Sequence, residues 1–146
     1  MRQYREVAES STGATVFHHA AVRVSDLDRS IAWYGTSFGF EVEHRGRVPE
    51  GTPIAMLRTA GGAGVELFEL APREDPHWSG PIAALEEGVV HFGLAVPDVE
   101  AAFERAVAAG GRAVWPPRDA PVSGKRIAFL ADPDGNLVEL IGPAAP

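Results

Sequence analysis

Four residues in this chain have the chemistry to share one divalent cation: His19, Glu66, His91 and Glu139. They fall into two like sets. His19-Ala-Ala-Val-Arg-Val-Ser-Asp26 is followed much later by Val65-Glu66-Leu67, and His91-Phe-Gly-Leu-Ala-Val-Pro-Asp98 by Val138-Glu139-Leu140. The histidines and the aspartates recur at an interval of 72 residues, as do Gly39 and Gly111, and the glutamates at 73. A repeat of that length marks a duplicated module that pairs with its copy. Two neutral imidazoles and two carboxylates form a charge-neutral N2O2 set for a divalent ion, and six-coordination leaves two adjacent positions for water or a substrate oxygen pair. Such a centre is a Lewis acid toward a carbonyl and stabilises an enediolate beside it. Removing a proton from carbon also needs a base within reach. Glu139 is the first candidate, with Glu66 as its pseudo-symmetric partner.

The elements that must position these residues follow from hydrophobic period. Thr15 to Val24 alternates as a strand, with Phe17, His19, Ala21 and Arg23 on one face and His18, Val22 and Val24 on the other. Ser25 or Asp26 caps a helix with Leu27, Ile31, Trp33 or Tyr34, and Phe38 at helical spacing, stopped by Gly39. Strands are expected over Phe40 to Val48, Pro53 to Thr59 and Gly64 to Leu70, with turns at Pro49-Glu50-Gly51 and Gly61-Gly62. The second module repeats the order: a strand from Val89 to Val96, a helix from Val99 to Ala109, then strands near Arg112 to Trp115, Lys125 to Ala131 and Leu137 to Ile141. Asp132-Pro133-Asp134-Gly135-Asn136 reads as a hairpin turn. The fold class is therefore α+β, two tandem βαβββ modules forming a curved mixed sheet. Residues 1–14 are an N-terminal extension and 15–146 a single domain. Module 1 occupies about 15–71, a Pro- and Gly-rich linker 72–88, and module 2 about 89–142.

If each helix covers the Val- and Leu-rich side of its sheet, His19, Glu66, His91 and Glu139 all project from the uncovered side. A carboxylate between Val and Leu is costly to bury without a partner, and a bound cation offsets that cost. Ala21 and Gly93 leave room beside the two histidines. Phe68 and Phe129 alternate onto the same side and would line a substrate pocket. Trp78, Trp115 and Arg126 could reach it from loops or edges. His18 is expected on the helix side, and His44 and His77 are expected to be solvated.

Composition narrows the function classes. The chain has 146 residues, enough for one domain with a substantial core, and no cysteine, so a metal must be held by nitrogen and oxygen. A net charge of −7 without a basic cluster disfavours nucleic acid. No apolar run approaches the roughly 20 residues that span a bilayer, and the N-terminus lacks a secretory signal. A cytoplasmic protein acting on a small molecule is expected.

Together the opening His19 to Phe40 (with Ser25-Asp26-Leu27-Asp28-Arg29-Ser30 and Trp33-Tyr34), Val65-Glu66-Leu67, His91 to Asp98, and Asp132 to Leu140 resemble the vicinal oxygen chelate superfamily. Its members include glyoxalase I, methylmalonyl-CoA epimerase, extradiol dioxygenases and antibiotic resistance proteins. The resemblance covers roughly residues 16 to 142. It implies paired βαβββ modules around one divalent ion (Ni, Co, Zn, Mn or Fe), often with modules packed across a homodimer. It places the metal ligands at His19, Glu66, His91 and Glu139. Glutamate at both carboxylate positions is similar to the glyoxalase I branch. Arg23 matches a residue that helps hold the glutathione carboxylate there, whereas Leu70 stands where bacterial forms carry asparagine. The implied activity is a metal-dependent isomerase, epimerase or lyase working by proton transfer beside a carbonyl. The alternatives are an Fe(II) extradiol-type dioxygenase using His19, His91 and Glu139, and a non-catalytic binder of antibiotics or other small molecules. Glu66 counts against the first by filling an open position, and the full ligand set counts against the second.

Overall fold

A computed structural model describes residues 17–72, 91–120 and 123–144. The extension 1–14, most of the linker 72–88, and with it His77 and Trp78, lie outside the described residues. The first module runs β1 (Ala20–Val24), α1 (Leu27–Phe38), β2 (Glu41–Arg47), β3 (Pro53–Arg58) and β4 (Gly64–Glu69). The second runs β5 (Phe92–Ala95), α2 (Val99–Ala108), β6 (Arg112–Asp119), β7 (Arg126–Ala131) and β8 (Leu137–Gly142). Each module forms one four-stranded sheet, in the orders β1-β4-β3-β2 and β5-β8-β7-β6. The first strand of each runs parallel to the last, and the other pairings are antiparallel.

Helix starts follow the predicted chemistry. Asp26 and Asp98 are the N-caps, each accepting a hydrogen bond from the backbone N–H three residues on. That satisfies a donor the first helical turn cannot. The helix ends differ although Gly39 and Gly111 match in the repeat. Gly39 takes the left-handed conformation at φ 72°, whereas in the second module that role falls to Gly110 at φ 112°. Gly111 instead permits a close approach, because a Cβ there would lie 2.9 Å from the Ala106 carbonyl oxygen and 3.0 Å from the Trp33 ring.

One hydrophobic core serves both modules. Val24, Leu57, Val65 and Leu67 of the first sheet and Leu94, Leu130, Val138 and Leu140 of the second pack with α1 and α2 between them. The Trp33 indole donates to the Ala106 carbonyl at 3.0 Å and the Arg105 guanidinium to the Ser37 carbonyl at 2.9 Å, tying the helices together. The helix-covered sides thus face a shared interior, as the alternation requires, and the opposite sides face outward. A smaller cluster of Ile127, Phe129 and Leu137, flanked by Val114 and Trp115, lies on the uncovered side of the second sheet.

Several boundaries differ from expectation. The fifth strand, expected from Val89, starts at Phe92 and leaves His91 just outside it (Val89 and Val90 lie outside the described residues). Two other differences bear on the site. The first strand begins at Ala20, not Thr15, so the pleat does not govern residues 17–19. The sixth strand, expected near Arg112 to Trp115, continues through Pro116 and Pro117 to Asp119. It is the edge strand of its sheet, and its register slips between Trp115 and Arg118, so neither proline interrupts an inner ladder.

Candidate functional site

The parallel ladders set the geometry. Ala21 lies opposite Glu66 and Gly93 opposite Glu139, which carries both carboxylates onto the uncovered sides while Val65, Leu67, Val138 and Leu140 are buried. Each glutamate then meets the histidine preceding its neighbouring strand. His19 Nε2 stands 3.4 Å from Glu66 Oε2, and His91 Nε2 stands 3.1 Å from Glu139 Oε2. All four side chains are partly exposed, the imidazoles at 33% and 34% and the carboxylates at 19% and 23%. They are therefore open to a ligand from outside. Gly93 is not needed for space, since a Cβ there would make an ordinary 3.6 Å contact with Glu139.

The chain holds these residues as two separate pairs. Among the described residues, no three His, Asp or Glu side chains gather at one point. Within each pair the spacing suits a metal. Two donors at about 2.1 Å from one ion, at right angles, stand about 3 Å apart. Two neutral imidazole nitrogens and two carboxylate oxygens match the donor set for a divalent ion, so the residues fit the group.

The surroundings of the two pairs differ. His91 packs edge-on against Phe129 at 5.2 Å between ring centroids, and Phe129 against Trp115 at the same separation. The Arg118 guanidinium sits over the Trp115 ring at 4.0 Å. Trp115 thus joins the uncovered side, which the sequence did not settle, because the irregular register of the sixth strand decides where it points. Phe68, opposite Arg23 across the first ladder, is partly exposed on the corresponding side of module 1. Arg126 is engaged elsewhere, paired with Glu100 at 2.6 Å and Asp119 at 3.1 Å. His44 lies in the exposed second strand.

The first pair has polar company. His18 does not point to the helices as expected. Its Nδ1 lies 2.7 Å from His19 Nδ1 and its Nε2 lies 3.2 Å from Arg58 Nη2. The cause is the late start of the first strand, which frees residues 18 and 19 from alternation. Arg58 also donates to Glu43 at 2.9 Å. The one sequence-level sign of this cluster is the His18-His19 doublet.

Arg23 lies four residues beyond His19, and its guanidinium donates to the Ala71 carbonyl in a shallow cleft also lined by Ser25, Asp134 and Asn136. Leu70, at the same end of the sheet, is exposed.

A sequence profile of the Glyoxalase/Bleomycin resistance protein/Dioxygenase superfamily matches residues 16–140. The chain is 33% identical over 128 residues to a lactoylglutathione lyase of Haemophilus influenzae, covering 84% of this chain and 89% of that one. It is 32% identical over 126 residues to the lactoylglutathione lyase GLX1 of Arabidopsis thaliana, covering 86% of this chain and 43% of that one. It thus spans less than half of this plant relative. The structure superimposes on a glyoxalase I mutant from Zea mays with a TM-score of 0.65 and 28% identity, over 88% of this chain and 44% of that one. With its repeat, its two βαβββ modules and the match along most of its length, the chain belongs to the Glyoxalase/Bleomycin resistance protein/Dioxygenase superfamily.

Proposed function

We propose that this protein is a cytoplasmic, divalent-metal-dependent enzyme of the glyoxalase I type that moves a proton at the carbon beside a carbonyl. We further propose that it works as a homodimer, with His19 and Glu66 of one protomer joined by His91 and Glu139 of the partner subunit. The observation that carries this reading is the pair geometry: each module holds one imidazole nitrogen and one carboxylate oxygen at cis-ligand spacing, partly exposed, and one chain leaves the two pairs apart. The first and fifth strands support it, since each pairs on one side only among the described residues. An unpaired strand edge is a template for another strand, and two-fold pairing would bring unlike modules side by side.

A divalent ion held by these four residues would supply Lewis-acid polarisation of a substrate carbonyl. The chain's own contribution is positional. Glu139 is partly exposed beside His91, so its carboxylate can accept the proton released from carbon and return it to the neighbouring position. Glu66 is the pseudo-symmetric carboxylate across the centre. Phe129 and Trp115 form an apolar wall next to Glu139 and exclude water from that side, while Phe68 lines the wall of the other module. Arg23 offers a cation for a remote anionic group of the substrate. The names of the relatives support lactoylglutathione lyase chemistry as the first activity to assay.

The test is elemental analysis of purified wild type and His91→Ala, followed by solvent deuterium exchange. The screen covers α-keto thiohemiacetals, acyl-CoA epimers and catechols. Nickel, cobalt, zinc or manganese in the wild type, much reduced in His91→Ala, with deuterium incorporated at carbon, is the expected result. Equal metal in both proteins overturns the ligand assignment. Iron with oxygen consumption on a catechol gives the case to ring cleavage, and tight small-molecule binding without metal gives it to a binding protein.

A further inference from the structure

Arg58, His18, His19 and Glu66 form one continuous chain of polar contacts, and the chemistry of its first member fixes every proton along it. A guanidinium donates and never accepts. Arg58 Nη2 donates one hydrogen to Glu43 at 2.9 Å and directs the other toward His18 Nε2 at 3.2 Å. His18 Nε2 is therefore the acceptor, which puts the His18 proton on Nδ1. That proton points to His19 Nδ1 at 2.7 Å, which must accept it. The His19 proton then sits on Nε2, the nitrogen 3.4 Å from Glu66 Oε2.

The arrangement is built into the fold. Arg58 Nη1 also donates to the His18 carbonyl at 2.9 Å, so the two residues hold each other by main chain and side chain together. Gly64 lies beneath them, where a Cβ would fall 2.6 Å from Arg58 Nη1 and from the His18 carbonyl oxygen and 3.0 Å from His19 Cβ. The second module lacks these residues. Ala131 holds the register position of Arg58, pairing with Leu137 as Arg58 pairs with Gly64, and Val90 stands 72 residues after His18. No described residue hydrogen-bonds Nδ1 of His91, whose ring rests against Phe129.

A metal-ligating histidine ordinarily donates its other ring N–H to an acceptor, leaving the ligating nitrogen bare. Here the neighbour is a donor and the polarity is reversed. We propose that His18, oriented by Arg58, is a positioning residue that locks metal-free His19 in the Nε2-protonated tautomer, so that cation loading at this half-site requires the His18–Arg58 contact to open. Among the described residues His91 has no such lock, and the two halves of the duplicated centre load unequally. The loading part rests on the metal reading above, whereas the tautomer part concerns the metal-free protein alone.

Long-range proton–nitrogen NMR of the metal-free protein reads the tautomers directly. In the wild type the proton is expected on His19 Nε2 and on His18 Nδ1. In His18→Ala and in Arg58→Met, His19 is expected to shift toward the Nδ1-protonated form. Titration with Co²⁺ alone should then show binding about tenfold tighter in both variants, about 1.4 kcal/mol. Two variants are used because they disturb the fold differently, and amide spectra matching the wild type identify the folded one. A wild-type His19 protonated on Nδ1 overturns the lock while leaving the proposed centre intact, as does a folded variant with unchanged tautomer and Co²⁺ affinity. Absence of Co²⁺ uptake by wild type and variants alike overturns the loading part together with the proposed centre, while the wild-type tautomers read by NMR decide the lock itself.

Discussion

Glu139 is asked to be a ligand and a base, and a single substitution separates the two roles. In Glu139→Gln the amide oxygen can still coordinate but cannot accept a proton, so the variant should keep part of its metal. It should lose about 10²- to 10⁴-fold in activity on a carbonyl substrate, the usual cost of a missing general base. Elemental analysis beside a kcat measurement checks this, and full activity in the variant would remove Glu139 from the chemistry. Arg23 makes a different prediction. Its guanidinium rests on the Ala71 carbonyl, at the end of the first strand away from His19. Arg23→Ala should therefore raise KM with little change in kcat if it anchors a substrate anion. Equal losses in kcat and kcat/KM would mean that it acts in the transition state instead.

The turn at Asp132–Asn136 holds the second sheet to the first. Asp132 is 2% exposed and accepts from the Tyr34 hydroxyl at 2.9 Å, from the Asn136 side-chain amide at 2.8 Å, and from the backbone N–H groups of Asp134 and Asn136. Asn136 also donates to the Arg23 carbonyl at 2.8 Å, and Asp134 pairs with Arg29 at 2.9 Å. Burial pushes the Tyr34 hydroxyl well above its ordinary value, with Asp132 adding to the shift. Tyr34→Phe leaves Asp132 one donor short in a buried site and should lower stability by about 1–3 kcal/mol, read from urea unfolding. The two aspartates respond to pH in opposite directions. Burial raises Asp132 above 3.8, against the pull of its hydrogen bonds, so its ionised form costs stability as pH rises from 3.8 through the folded value. Burial also lifts Asp134, but hydrogen bonds from Ser25 and the Arg29 charge outweigh it and hold the carboxyl below 3.8. Its contribution is complete above that value and lost as pH falls through the folded one. Asp134→Asn should therefore lose less Tm than the wild type between pH 4 and the acid limit (roughly pH 2). An identical acid profile would show that this pair does not set it.

For the whole molecule, the expected species is a dimer of about twice 15.5 kDa by light scattering. If the partner subunit completes each site, mixing inactive His19→Ala and His91→Ala proteins should restore activity. Half of the sites in a mixed dimer then carry both substitutions and half carry neither. Monomer mass at micromolar concentration, or no recovery on mixing after subunit exchange, would overturn the shared site.

The repeat, the caps and the buried and open faces of each sheet were legible because they depend on local period. Val65-Glu66-Leu67 can present only one side to a helix, and Asp26 or Asp98 before an apolar helical stripe can satisfy the first turn's amide groups. Phe129 on the uncovered side followed from the same alternation. Three features were not legible. The two helix-covered sides share one core within the chain, which keeps the His–Glu pairs apart. Trp115 beside Phe129 depends on a slipped register at an edge strand. The contact of His18 with His19 and Arg58 depends on where the first strand starts and on the space above Gly64. Sequence fixes what each module presents, because alternation is set residue by residue. Which presented surfaces meet is decided by packing between segments dozens of residues apart, and no local period carries that information.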